Sequence, residues 1–108
     1  MPSDKFGIET AFYDEVTKQI FGNPLHKETA ASRIKQVGLM VLLRQMGNQK
    51  IETTVANIIK TTGLSRPAIF VIMKPLTDRG LLIEETILNV QGRGRATRFV
   101  MAHFPADA

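Results

Sequence analysis

Two short segments of the chain carry arginine in settings that suit the binding of an anion. Arg93 lies between glycines in Gly92-Arg93-Gly94, with Arg95 directly after them, and Arg66 follows Ser65 where a helix is predicted to start. A guanidinium on a projecting turn can bind phosphate or enter a narrow groove, and an arginine in the first turn of a helix can pair with guanine. These residues therefore predict binding of a polyanion.

The distribution of charge along the chain supports an anionic partner. The 108 residues carry 14 Lys and Arg against 10 Asp and Glu, a net charge of +4. Residues 1–31 hold three bases and five acids, whereas residues 32–108 hold eleven bases and five acids, a balance of +6. A basic segment of this kind favours an anionic partner, with an ordinary solvated surface as the alternative.

Several classes of protein are excluded by the residues that are missing. With no cysteine, the chain has no disulfide, thiolate metal site or Cys nucleophile, and it has no Gly-x-Gly-x-x-Gly or phosphate-loop pattern. Glu84 and Glu85 are adjacent, so on a strand they face opposite sides. The longest apolar run, Val37 to Leu43, is too short to span a membrane, and no signal peptide is recognised. We predict a cytoplasmic protein that is not an enzyme and has no cofactor, metal or membrane partner.

The first half of the chain predicts two helices. The first runs from Ile8 to Phe21, with apolar residues at steps of four, and Gly22-Asn23-Pro24 ends it. The second runs from Pro24 or Leu25 to Met46. Its predicted buried face consists of Ala30, Ile34, Val37 and Val41, with Ala31, Gly38 and Leu42 alongside.

The second half predicts two further helices and a β-hairpin. A short helix over 54–61 is followed by a turn at Gly63, and a helix over 66–79 is ended by Gly80. The period then changes to two, which predicts strands over 82–90 and 95–101 joined by a turn over 91–94.

The segment from Ile58 to Ile72 looks like a helix-turn-helix, with Gly63 at the turn. Together with Arg79-Gly80-Leu81-Leu82 and the hairpin, it resembles the winged-helix regulators of bacteria, closest to the multiple-antibiotic-resistance regulator type. The resemblance covers residues 25–101 and implies an α+β winged helix-turn-helix, a helical core with a C-terminal β-hairpin wing. An N-terminal amphipathic helix over 1–24 and a tail over 102–108 complete the predicted organisation.

The resemblance implies binding of double-stranded DNA, with the helix over 65–79 in the major groove and the wing over 91–95 in the minor groove or on phosphates. The outward side of that helix is apolar at Phe70 and Val71, which predicts either contact with thymine methyl groups or a second buried contact. The predicted DNA-binding residues are Ser65, Arg66, Pro67, Phe70, Val71, Lys74, Arg93 and Arg95.

Readers of duplex DNA commonly work as two-fold dimers on paired half-sites. We predict a homodimer formed by the stripe on the first helix, and folding of that stripe over its own core is the alternative. The predicted interface residues are Phe12, Tyr13, Val16 and Ile20. The expected function is sequence-specific transcriptional regulation, most simply repression. The alternatives are a module that binds a protein through Phe70 and Val71, and an accessory protein of plasmid or phage replication or partition.

Overall fold

The computed structural model describes residues 2–88 and 94–102, with side chains from residue 10 onward. Four helices are followed by two antiparallel strands, so the chain is α+β as predicted, and the order of elements is compatible with a winged helix. The elements are α1 (Pro2–Gly22), α2 (Ala30–Asn48), α3 (Val55–Thr62), α4 (Arg66–Asp78), β1 (Leu82–Leu88) and β2 (Arg95–Met101).

The second half of the chain follows the prediction closely because its element ends are set by local chemistry. The hydroxyls of Thr54 and Ser65 accept hydrogen bonds from first-turn amides, at 3.2 and 3.3 Å, and so start α3 and α4. Gly63, directly after α3, and Gly80, which follows the Arg79 cap of α4, adopt φ of 75° and 79°. That left-handed conformation costs little for glycine, so each helix ends where a glycine stands.

The start of α2 is later than predicted. Residues 25–28 form a turn in which the Glu28 amide donates to the Leu25 carbonyl at 3.1 Å, and the Leu25 amide donates to the Glu28 carboxylate at 3.0 Å. The hydroxyl of Thr29 then accepts from the Ser32 amide at 3.0 Å and caps the helix. The prediction of a start at Pro24 or Leu25 was wrong because this turn uses the backbone groups that a helix would need.

The predicted buried face of α2 was wrong at its centre, although Val37 and Leu42 pack against the core as partly buried residues. Ile34 is 62% exposed, and a Cβ placed on Gly38 would find no atom within 4 Å. The helix is rotated so that a side containing a buried polar residue, Gln36, faces the core. The buried residues of α2 are Gln36, Leu39, Met40, Leu43 and Met46.

The apolar stripe of α1 lies in the core of its own subunit. Phe12, Val16 and Ile20 are at most 1% exposed and belong to the same hydrophobic cluster as the buried residues of α2, α3 and α4. Their prediction as a dimer interface was wrong, because side chains that are already covered offer no surface to a partner. Tyr13 is exposed, and its place at an interface stays a prediction.

The two strands pair in one register, from Leu82 opposite Met101 to Leu88 opposite Arg95. The residues just before α3 pair with β2 near the core. The Phe99 amide donates to the Thr53 carbonyl at 3.0 Å, and Thr54 forms an isolated bridge with Arg98. This contact fixes the base of the strand pair against the start of α3. The predicted turn over 91–94, apart from Gly94, lies outside the described residues, as do 89–90 and 103–108.

None of the helices in the described part of the chain is both long enough and apolar enough to cross a membrane.

Candidate nucleic-acid interface

The outer side of α4 is open to solvent. Pro67, Val71 and Lys74 follow one another at steps of three and four, so they lie on one side of the helix. All three are exposed, and Val71 is exposed over 72% of its surface. The opposite side, which includes Ile69, Ile72, Met73 and Leu76, is buried in the core. The helix therefore presents a short row of apolar and basic side chains.

The first turn of α4 adds a cap and a cation. Ser65 and Arg66 are both exposed, and the Ser65 hydroxyl accepts the hydrogen bond from the Ala68 amide that starts the helix. The guanidinium carbon of Arg66 lies 5.4 Å from the centre of the Phe70 ring, within the range of a cation–π contact. This contact restricts Arg66 to the side of α4 that faces the strand pair.

Phe70 does not belong to the open row. Its ring meets the ring of Phe99 edge to face at a centroid distance of 5.8 Å, and it packs as a partly buried residue against the core. The prediction of Phe70 as a base-reading residue is therefore corrected, and the alternative of a second buried contact describes it. Of Phe70 and Val71, only Val71 is exposed to solvent.

The strand pair has one face toward α4 and one face away from it. Because side chains alternate along a strand, Arg95 shares the α4 side with Phe99, and Arg98 lies on the other side. Arg95 is exposed, at the end of β2 that is remote from the core contact. Arg93, the predicted tip of the wing, lies outside the described residues.

Arg98 is held in the strand pair by two carboxylates. Its guanidinium donates to Glu85, directly opposite on β1, and to Glu52, each at 2.7 Å. These two hydrogen bonds raise its pKa above the ordinary value for arginine. Arg98 thus joins β1, β2 and the segment before α3, whereas no ion pair is found for Arg95 within the described residues.

A buried group of polar residues fixes the far end of α4. Arg79, just past the helix, pairs with Glu28 at 2.5 Å and hydrogen-bonds Gln36, and only 3% of the Arg79 and Glu28 side chains is exposed. Its Nε and Nη2 also donate to the carbonyls of Gln19, Ile20 and Asn23 at 2.9–3.2 Å. The last carbonyls of a helix lack hydrogen-bond partners within it, so Arg79 also supplies the missing donors at the end of α1.

The charge of Glu28 is stabilised in this group. Hydrogen bonding to Arg79 lowers the pKa of its carboxyl from 4.5 to about 2, against the opposing effect of burial, and a hydrogen bond from Gln36 contributes in the same direction. Sequence reasoning missed this arrangement. The one local sign of it was a glutamine, Gln36, in an otherwise apolar stretch of helix.

Two shallow grooves flank Val71, and exposed lysines line both of them. Lys27 and Lys74 lie in the groove toward the 25–29 turn, and Lys35 lies in the groove toward α2. Of the acids nearby, Glu28 is neutralised by Arg79, and Asp78 lies 3.4 Å from Lys74 on the next turn. The surroundings of Val71 are therefore predominantly cationic.

No family model, curated protein or solved structure matches this chain. Among the described residues, no group of three or more His, Cys, Asp or Glu side chains is arranged to hold a metal ion.

Proposed function

We propose that this protein is a winged-helix regulator that binds double-stranded DNA through the outer side of α4 and the α4-facing side of the strand pair. The observation that carries the proposal is the edge-to-face contact between the rings of Phe70 and Phe99, with an exposed arginine on each of the two elements that it joins. Arg66 lies over the Phe70 ring, and Arg95 precedes Phe99 by four residues on the same side of β2. Two cations on the same side of the junction between α4 and β2 suit a ligand with regularly spaced negative charges.

The DNA contact proposed for each side chain follows from its chemistry. Arg66 in the first turn of α4 is suited to a guanine edge or a phosphate in the major groove. Lys74 and Arg95 are suited to phosphates, and the predicted wing around Arg93 would extend the contact toward the minor groove. Occupation of a site in this way excludes other proteins from the same base pairs, so repression is the proposed outcome, without catalysis.

The competing proposal, a module that docks on a protein through Phe70 and Val71, has less support. Phe70 is engaged with Phe99 and Arg66, so Val71 alone would have to anchor the partner. The residues that dominate protein interfaces are more often Trp, Tyr and Arg, seated in desolvated pockets. A lone exposed valine between lysines fits a DNA groove better.

Binding of a mixed-sequence duplex, followed by fluorescence anisotropy over a range of salt concentrations, tests the proposal. The logarithm of the association constant should fall linearly with the logarithm of salt, with a slope of about −0.9 per phosphate contact. Arg66→Gln and Arg95→Gln should each lower the affinity and make the slope shallower by up to about one.

Arg98→Gln is the matched control, since it removes the same charge from the opposite side of the same strand. It should leave the slope close to that of the unmodified protein. The proposal is contradicted if binding does not depend on salt, or if Arg98→Gln changes the slope as much as Arg95→Gln does.

A further inference from the structure

The outer side of α4 faces the residues around the start of α2 across a continuous groove. The two shallow grooves beside Val71, of about 350 and 380 Å³, share that residue on one wall and Ser32 on the other. They therefore run into each other along α4. We refer to them together as the α2–α4 groove, with residues 25–35 on one wall and residues 64–78 on the other.

The charge of the α2–α4 groove is positive. Three exposed lysines line it, with Lys27 and Lys74 toward one end and Lys35 toward the other. The exposed acid of its lining, Asp78, lies beside Lys74 at 3.4 Å. Within the described residues, no ion pair involves Lys27 or Lys35. Both cations of the α2 wall are therefore available to an anionic ligand.

Lys27 has an unusual backbone conformation at the edge of the groove. Its φ is 62°, in the left-handed region that suits glycine and is strained for a residue with a Cβ. The turn around it is held by Glu28, whose carboxylate accepts from the Leu25 amide at 3.0 Å and pairs with the buried Arg79. A glycine would adopt this conformation with less strain. The Lys27 side chain therefore contributes a cation beside α4 that the turn itself does not require.

Two hydroxyls on the same wall can donate hydrogen bonds. Thr29 Oγ1 accepts from the Ser32 amide at 3.0 Å, and Ser32 Oγ accepts from the side-chain amide of Gln36 at 3.1 Å. A hydroxyl has one donor and two acceptor sites, and the contacts among the described residues use only acceptor sites of these two. Each O–H is left to donate to an acceptor in the groove, such as a phosphate oxygen.

We propose that the α2–α4 groove seats the sugar–phosphate backbone of one DNA strand, with Lys27 and Lys35 on its phosphates. The inference rests on the proposed function, in which α4 enters the major groove, and adds a contact from an element outside α4 and the strand pair. Residues 29–35 rise about 9 Å at 1.5 Å per residue, which matches about three successive phosphates at 3.4 Å each along the DNA axis. Lysines and hydroxyls contact phosphates without reading bases, so this contact should contribute equally to all sequences.

The test compares DNA binding and stability in the same variants. Lys27→Gly and Lys35→Gln should each lower the affinity for a mixed-sequence duplex about fivefold at 0.1 M salt, and make the logarithmic salt dependence shallower by about one. Fluorescence anisotropy measures both quantities. Lys27→Gly should at the same time raise the midpoint of thermal unfolding by about 4 °C, because it relieves the left-handed strain. A purely structural role for Lys27 would instead lower stability and affinity together.

Lys50→Gly is the matched control. Lys50 is also exposed, has a φ of 61°, and follows the opposite end of α2, which is roughly 28 Å long. The substitution should therefore raise the unfolding midpoint by a similar amount and leave the affinity and the salt dependence unchanged.

A second pair of variants probes the groove without removing a lysine. Thr29→Asp and Thr29→Asn both keep a side chain that can cap α2, but only the first places a carboxylate in the groove. Thr29→Asp should lower the affinity about tenfold or more, and Thr29→Asn less than about threefold. Equal affinities for the two variants would contradict a phosphate in the groove.

The inference is overturned if Lys27→Gly and Lys50→Gly lower the affinity equally, or if Lys27→Gly and Lys35→Gln leave the salt dependence unchanged. If Arg66→Gln and Arg95→Gln still make it shallower in that case, the groove is removed and the proposed function stands. If the unmodified protein shows no salt-dependent binding of DNA, both are removed.

Discussion

Glu28 enters the folded protein as a carboxylate that Arg79 holds in place. Its pKa is about 2 in the folded chain against an ordinary 4.5, so between these values the unfolded chain binds a proton that the folded chain does not. The stabilisation from this group is complete above about pH 4.5 and is lost as the pH falls toward 2. Urea unfolding measured from neutral to acid pH should show that loss.

Glu28→Gln isolates the contribution of this residue. The variant should be less stable at neutral pH by about 3 kcal/mol, because a buried guanidinium loses its counter-charge. Its stability should also fall less steeply below pH 4.5, since position 28 then takes up no proton. Parallel pH profiles for the two proteins would contradict the role given to the ion pair.

Val71 offers a test of how the proposed DNA contact distinguishes bases. An exposed valine among lysines is suited to the methyl group of thymine in the major groove, and burial of one such group is worth about 0.8 kcal/mol. In a duplex selected for tight binding, replacement of the contacted thymine by deoxyuridine should lower the affinity about fourfold. Anisotropy titrations with matched duplexes measure the change.

The same replacement should have little effect on Val71→Ala, because the group that covers the methyl is gone. Equal losses for both proteins would mean that the methyl is recognised elsewhere, or that deoxyuridine alters the shape of the DNA.

At the scale of elements, the junction between α4 and β2 depends on Phe70. Phe70→Ala removes the edge-to-face contact with Phe99 and part of the support of Arg66, and should lower the free energy of unfolding by about 2 kcal/mol. Thermal or urea unfolding measures the loss. Val71→Ala, the adjacent apolar residue, should change stability by no more than about 0.5 kcal/mol because it is exposed. Similar losses in both variants would contradict the assignment of Phe70 to the interior.

The elements could be predicted from the sequence wherever their ends depend on nearby residues. Thr54, Ser65, Gly63 and Gly80 set the limits of α3 and α4 through caps and left-handed turns, and alternation set the limits of β2. These are interactions within a few positions of each other, so a local pattern contains them.

The rotation of α2 could not be predicted in the same way. Both of its sides are apolar, and the choice between them depends on Gln36, whose amide meets Arg79 from 43 positions away. The stripe on α1 was recognised for the same local reasons as α3, but its covering by the core depends on long-range packing. Phe70 could not be placed for a similar reason, since Phe99 belongs to another element.

At the scale of the whole molecule, the described surfaces differ in composition and lie on different sides. The open side of α4 and the strand face beside it carry the cations proposed for DNA, whereas the exposed Ile34 lies on the side of α2 that faces away from the core. The proposed DNA surface is therefore separate from the exposed apolar residue of α2.

The position of Arg79 in the chain has a consequence for how the protein is made. Its partners lie 43 to 60 residues earlier, so Glu28 and the end of α1 leave the ribosome well before the guanidinium that completes them. Until then the Glu28 carboxylate has the weaker neighbour Arg33, at 3.4 Å in the finished protein. We expect the nascent α1–α2 pair to stay loosely associated, and to become fixed only when Arg79 has left the ribosome.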